Sequence, residues 1–123
     1  MNKMKRFEDL PVWKESRVFV KDIYSICNNN YIKKDYGFKD QIQRASVSII
    51  TNIAEGFERN NNKEFVRFLV YSKGSVGEVR SLLYIALDLN YIGKDEFDRT
   101  YEMSLSIVKQ ISNFIKYLKN YKK

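Results

Sequence analysis

Glu55 and Glu78 have the strongest claim to chemistry in this chain. Each is a carboxylate within an otherwise apolar helical pattern, and Arg44 lies at helical spacing from the first. A carboxylate in apolar surroundings beside a cation can act as a general base. No second acid, activated nucleophile or cofactor-binding motif accompanies the pair. The chain also contains no histidine, which acyl-transfer triads, imidazole bases and most zinc sites require. A di-iron bundle needs Glu-x-x-His on its helices and is excluded on the same ground. The single cysteine, Cys27, cannot form an internal disulfide, and it shares a helical side with Trp13, Val20 and Tyr24, as a buried bystander thiol does. Carboxylate-only sites for a hard cation such as magnesium remain formally open. No cofactor and no transition metal is expected, and the residues point away from an enzyme.

Both carboxylates belong to a wider polar pattern. In QIQRASVSIITNIAEGFER, residues 41–59, a stripe of Gln41, Arg44, Ser48, Asn52 and Glu55 runs beside a crowd of isoleucines. With Ile49 at the centre of the inward face, Ile42, Ala45, Ile53 and Gly56 fall within about 40° of it. The polar flank then faces the next helix, on which Ser75 and Glu78 interrupt an apolar row. Pairing Arg44 with Glu78, or with Glu55 and the Asn52 amide, forms a partly buried network that fixes helix register, because buried charge is costly unless paired. This structural role is preferred to catalysis, and it implies that Glu78→Gln costs stability. Val47, Ile50 and Ala54 point largely away from Ile49. A monomeric bundle needs one apolar stripe per helix, so this second face is expected to meet another copy of the chain.

Long helices must hold these stripes. The 123 residues make one domain, 44% apolar and 30% charged, and a single proline with five glycines argues against a loop-rich or all-β fold. Apolar spacing predicts helices over residues 11–28, 38–59, 63–89 and 94–121. The first carries Val12, Ser16, Phe19, Ile23 and Ile26 on one face; Asp9 is its expected cap and Pro11 its first turn. The asparagine run 28–30 and then Gly37 break the chain, and Asn62 is expected to cap the third helix. That helix has two adjacent rows, one from Phe65 to Ala86 and one from Phe68 to Leu89. Gly74 and Gly77 each cost about 1 kcal/mol in a helix interior, which suggests close approach of another backbone. Gly93 is the expected stop. The fold class is all-α, an antiparallel up-and-down four-helix bundle. No apolar run approaches the ~20 residues of a membrane span, the N-terminus lacks the features of a signal peptide, and a cytoplasmic location is expected.

The net charge is +7 with a pI near 9.4, which favours an acidic partner. On the last helix Lys109, Lys116, Lys119 and Lys123 share one row, and no acid follows Glu102. Lys14, Arg17 and Lys21 repeat the device on the first helix, and Lys3, Lys5 and Arg6 add a basic N-terminal arm. Such rows track phosphates without reading sequence. Lysines near a helix C-terminus also complement the macrodipole. Tyr117 and Tyr121 near the row either stack on unpaired bases or pack into the core.

The segments FEDLPVW, YGFKDQIQRASVSIITNIAEGFER and FVRFLVYSKGSVGEVRSLLYIALDLNYI closely resemble the four-helix-bundle proteins encoded in intervening sequences of bacterial 23S rRNA genes. The core of the resemblance is QxxRAxxSIxxNIAEG followed by GSxxE at residues 74–78. The last helix matches only in apolar rhythm, and a methionine or leucine is more usual where Phe38 stands. The resemblance implies a homopentameric ring. It also implies kinship with the accessory variability determinant proteins of diversity-generating retroelements, which work beside a reverse transcriptase and its RNA. Residues and resemblance together lead to two expected functions. One is a non-catalytic basic scaffold for RNA or a ribonucleoprotein; the alternative is an adaptor for another protein.

Overall fold

The computed structural model describes residues 5–121. The Asp9 carboxylate accepts from the backbone N–H of Arg6 at 3.3 Å and closes a 3-10 turn over Phe7–Asp9. Asp9 therefore caps that turn and not the first long helix, α1 (Pro11–Ile26), which starts at Leu10 without a side-chain cap and with proline in its first turn. The asparagine run leads into a short helix that apolar spacing does not announce, α2 (Asn30–Lys34). Asn29 caps it by accepting from the Ile32 N–H at 2.8 Å, and Ile32 is fully buried. Asp35 caps α3 (Tyr36–Glu58), and Asn61, one residue earlier than expected, caps α4 (Asn62–Asp88). Asn90, with φ of 62°, ends α4 in the left-handed region that asparagine tolerates. Gly93, at φ −88°, is the residue before α5 (Lys94–Asn120) and not a stop.

α1 packs on α3, α3 on α4, α4 on α5 and α5 on α1, so the four long helices close a circuit. Side-chain bonds show the directions. Glu15 meets Gln110 and Asp22 meets Arg99, which requires α1 and α5 to run antiparallel. Gln41 meets Glu78 and Ser48 meets Ser75, which requires the same of α3 and α4. The apolar faces converge on one core containing Phe19, Ile23, Ile49, Leu69, Val76 and Ile107, all fully buried. On α4 only the row from Phe65 to Ala86 is buried throughout. In the second row Tyr71, Glu78, Ile85 and Leu89 emerge into solvent, because that row lies at the edge of the covered side. At the end where α2 joins α3, Asn29 donates to the Tyr91 carbonyl at 2.9 Å and the Tyr91 hydroxyl donates to Asp35 at 2.8 Å. The first bond ties the α1–α2 turn, and the second the α2–α3 junction, to the α4–α5 turn.

One glycine position is set by packing. A Cβ on Gly56 of α3 would lie 2.8 Å from both the Phe65 ring and Phe68 Cβ on α4. Among the described residues the expected close approach at Gly74 and Gly77 is absent: a Cβ at either meets none of their atoms within 4 Å. Both point away from the buried row of α4, so their neighbours within the chain lie on the far side of the helix. Gly56→Ala should destabilise by about 1–3 kcal/mol, since Phe68 Cβ is attached to backbone and cannot swing aside. Gly74→Ala and Gly77→Ala should each stabilise the chain by about 0.5–1 kcal/mol. Urea melts of the three variants measure both effects, and a loss of stability at Gly74 or Gly77 would instead place a second chain there.

Candidate nucleic-acid interface

The polar stripe of α3 meets α4 through hydroxyls. Ser72 of α4 donates to the Ile49 carbonyl at 2.8 Å, and Ser75 donates to Ser48 Oγ at 2.9 Å. The Asn52 amide donates to the Ser48 carbonyl at 2.8 Å and to Ser48 Oγ at 3.0 Å. Serine has room here because it is small, and each hydroxyl is bonded, so its burial carries no desolvation penalty left unmet. Gln41 donates to Glu78 at 3.4 Å on the exposed margin of the same contact.

The charges arrange themselves differently from the expected network. Arg44 pairs with Asp40 one turn back on its own helix at 2.9 Å, with the two side chains 79% and 67% exposed. Glu55 pairs with Arg59 at 3.0 Å, again within α3. Arg44 therefore joins neither Glu78 nor Glu55, and Glu78 is solvent-exposed with Gln41 as its partner. Pairs four residues apart on one helix bring the charges together while leaving both in water, so no desolvation opposes them. Among the described residues no three Asp, Glu or Cys side chains converge to hold a metal ion. Val47, Ile50 and Ala54 are half-buried. Val47 lines a shallow cleft of about 400 Å³ with Tyr24, Asp40, Gln43, Arg44 and Thr51.

The basic rows face outward. Lys14, Arg17 and Lys21 of α1 and Lys109, Lys116 and Lys119 of α5 are all exposed. No ion pair among the described residues engages any of them. Arg17 lies over the Trp13 ring, 5.9 Å from its centroid. The Glu15–Gln110 bond sets Lys14 level with Lys109. The Asp22–Arg99 bond sets Lys21 level with Thr100 instead, roughly 28 Å along the bundle from Lys119 at 1.5 Å per residue. Lys123 lies outside the described residues. The structure adds Lys63, which lines a shallow cleft of about 270 Å³ with Asn62, Val66, Leu118 and Lys119. Only the antiparallel chain path brings the first turn of α4 beside the last turns of α5, so spacing along the sequence carries no signal for it.

Cys27 is buried, and burial pushes its thiol from the ordinary value near 9 up to about 11. Among the described residues no helix is long and apolar enough to cross a membrane.

An antiparallel helical bundle sutured by small hydroxyl side chains, with lysine rows on its outer faces, is the class of protein these observations define. The profile of the 23S rRNA-intervening sequence protein family matches residues 8–113, and the chain belongs to that family. Among solved structures, it is similar to a protein of unknown function from the S23 ribosomal protein family of Bacteroides thetaiotaomicron VPI-5482. The two share 24% identity with a TM-score of 0.78, over 85% of this chain and 98% of the other, a likeness of fold. No curated protein matches the chain.

With Glu78 in solvent, Glu78→Gln should change stability by less than about 0.5 kcal/mol, read from the unfolding midpoint. This replaces the loss expected of a buried network. Cys27 should resist a disulfide reagent at pH 8 and react at a rate that follows unfolding, as a protonated, enclosed thiol must. Because its folded pKa is raised, the thiol's contribution to stability is complete below pH 9 and fades as pH climbs toward 11. Denaturant melts at pH 8 and 10.5 measure it.

Proposed function

We propose that this protein is a non-catalytic, basic, oligomeric bundle that associates with RNA as a scaffold or accessory protein in the cytoplasm. The observation that carries this reading is the set of lysines at positions 14, 21, 109, 116 and 119, exposed and engaged by no ion pair among the described residues. Lysine side chains left in that state neutralise phosphates and release counterions, which is the electrostatic basis of sequence-tolerant binding. Membership of a family named for rRNA-gene intervening sequences is consistent with an RNA setting. Catalysis finds no support in the geometry, since Glu55 and Glu78 lie on the surface, each engaged by one neighbour. The proposal includes assembly into a homopentamer through the half-buried face of Val47, Ile50 and Ala54, which would multiply the positive field.

An adaptor role for a protein partner is favoured by one observation. Val70, Ile85 and Leu89 are about half exposed on the outer side of α4, around the open Gly74 and Gly77. A pull-down after nuclease treatment that recovers one stoichiometric protein would support the adaptor.

Single-stranded RNA should bind with micromolar or better affinity at low salt. That affinity should fall by about two and a half orders of magnitude between 50 and 200 mM salt, as about six phosphate contacts require. Exchanging Lys109, Lys116 and Lys119 for glutamine should lower the slope of log affinity against log salt by about 2. Fluorescence anisotropy across a salt series measures both. Binding that ignores salt, or none at low salt, rejects the RNA scaffold. Light scattering with and without RNA reads the assembly in the same samples.

A further inference from the structure

The last turns of α5 extend past the beginning of α1. Glu15 lies level with Gln110, and α1 starts at Pro11, so the flank of α5 beyond about Phe114 has no α1 beside it. Asn113, Lys116, Tyr117, Asn120 and Tyr121 line an open groove of about 440 Å³ on this flank. Tyr117 and Tyr121 stack nearly parallel, with centroids 5.7 Å apart and planes at 23°. Tyr117 also leans on Phe114 at 6.4 Å, and Phe114 meets Phe65 edge to face at 5.0 Å. The inner end of this ring ladder is thus anchored on the buried Phe65 while Tyr117 remains 44% exposed. An aromatic pair that packs on the core at its inner end and lines an open groove is a stacking platform, and stacking accepts any base because each has a π-face.

We infer that this groove is a base-stacking site for single-stranded RNA, in which an unpaired base lies against the Tyr117–Tyr121 pair and Lys116 meets a flanking phosphate. The inference rests on the RNA reading above and assigns the place where a base, as distinct from backbone charge, is held. Asn113 and Asn120 supply paired amide donors and acceptors of the kind that match base edges. A duplex does not fit this description, since its bases are stacked inside and cannot reach a ring on a helix flank. An acidic peptide would engage Lys116 and leave the stacked rings and both amides unused.

The test compares a fluorescein-labelled 12-nucleotide oligouridylate with an RNA duplex of the same length. The proteins are the full chain and its Tyr117→Phe and Tyr117→Ala/Tyr121→Ala variants. The double alanine variant should bind the single strand roughly 5- to 100-fold more weakly, with duplex affinity within about twofold and the salt slope unchanged, as loss of stacking without loss of charge requires. Tyr117→Phe should bind like the original chain. Ultraviolet crosslinking of oligouridylate to the unaltered protein should map to residues 113–121, which keeps the test decisive even if the alanine variant melts. An unchanged single-strand affinity overturns the inference while leaving the RNA scaffold intact. So do equal losses on single strand and duplex, crosslinks confined elsewhere, or displacement by an acidic peptide alone. If the unaltered chain binds neither RNA, the RNA scaffold fails and the groove's assignment with it.

Discussion

The separation of α3 and α4 is the constraint on which the rest of the bundle depends. At Gly56 the two helices are so close that a single methyl group would collide with Phe68 Cβ at 2.8 Å. Further along, Ala45, Ser48, Ser72 and Ser75 keep the contact narrow, and a hydroxyl of α4 reaches a backbone carbonyl of α3 through Ser72. Serine serves here because alanine would leave the same room and make no bond, while a larger residue would force the helices apart. The Ser72 bond to the Ile49 carbonyl and the Ser75 bond to Ser48 also resist a slide of one helix along the other, since a displaced hydroxyl would be buried without a partner. Register is set by small neutral groups and not by buried ion pairs.

This close contact has a consequence on the opposite side of α4. With Ser72, Val76 and Val79 turned to the interior, Gly74 and Gly77 are turned outward among Val70, Ile85 and Leu89. A face that combines helix-weakening glycines with exposed aliphatic side chains opposes the stability of the isolated chain on two counts.

The core was legible in the amino-acid order because apolar periodicity is a local, repeating signal. Val12, Ser16, Phe19, Ile23 and Ile26 are all buried as their spacing predicts, and so are Ile42, Ala45, Ile49, Ile53 and Gly56. α2 was illegible because five residues offer little more than one turn, too short to establish a period. Caps shifted by a residue, from Asn62 to Asn61, since adjacent asparagines present the same chemistry. The polar stripe meets α4 through Gln41 and Ser48, while its charges pair within α3 and not in the expected circuit. Sequence spacing places Arg44 near several acids, but the choice of Asp40 follows from side-chain entropy and hydration, which the pattern does not encode. Lys63 beside Lys119 depends wholly on the tertiary path.

The unpaired lysines admit two physical explanations that make different demands on position. A helix dipole favours cations only within about the last turn and disfavours them at the start. Lys119 lies in the last turn of α5, and the dipole accounts for it. Lys109 lies about three turns before the end of that helix, out of the dipole's reach. Lys14 and Arg17 sit near the start of α1, where no acid occupies the first turn and a cation opposes the helix dipole. Local pairing does not account for them either, since the ion pairs among the described residues engage Arg44, Arg59, Arg67, Arg99 and Lys94. The proposed RNA contact would account for these cations, since an extended polyanion has the charge spacing that rewards a row of them along adjacent helices.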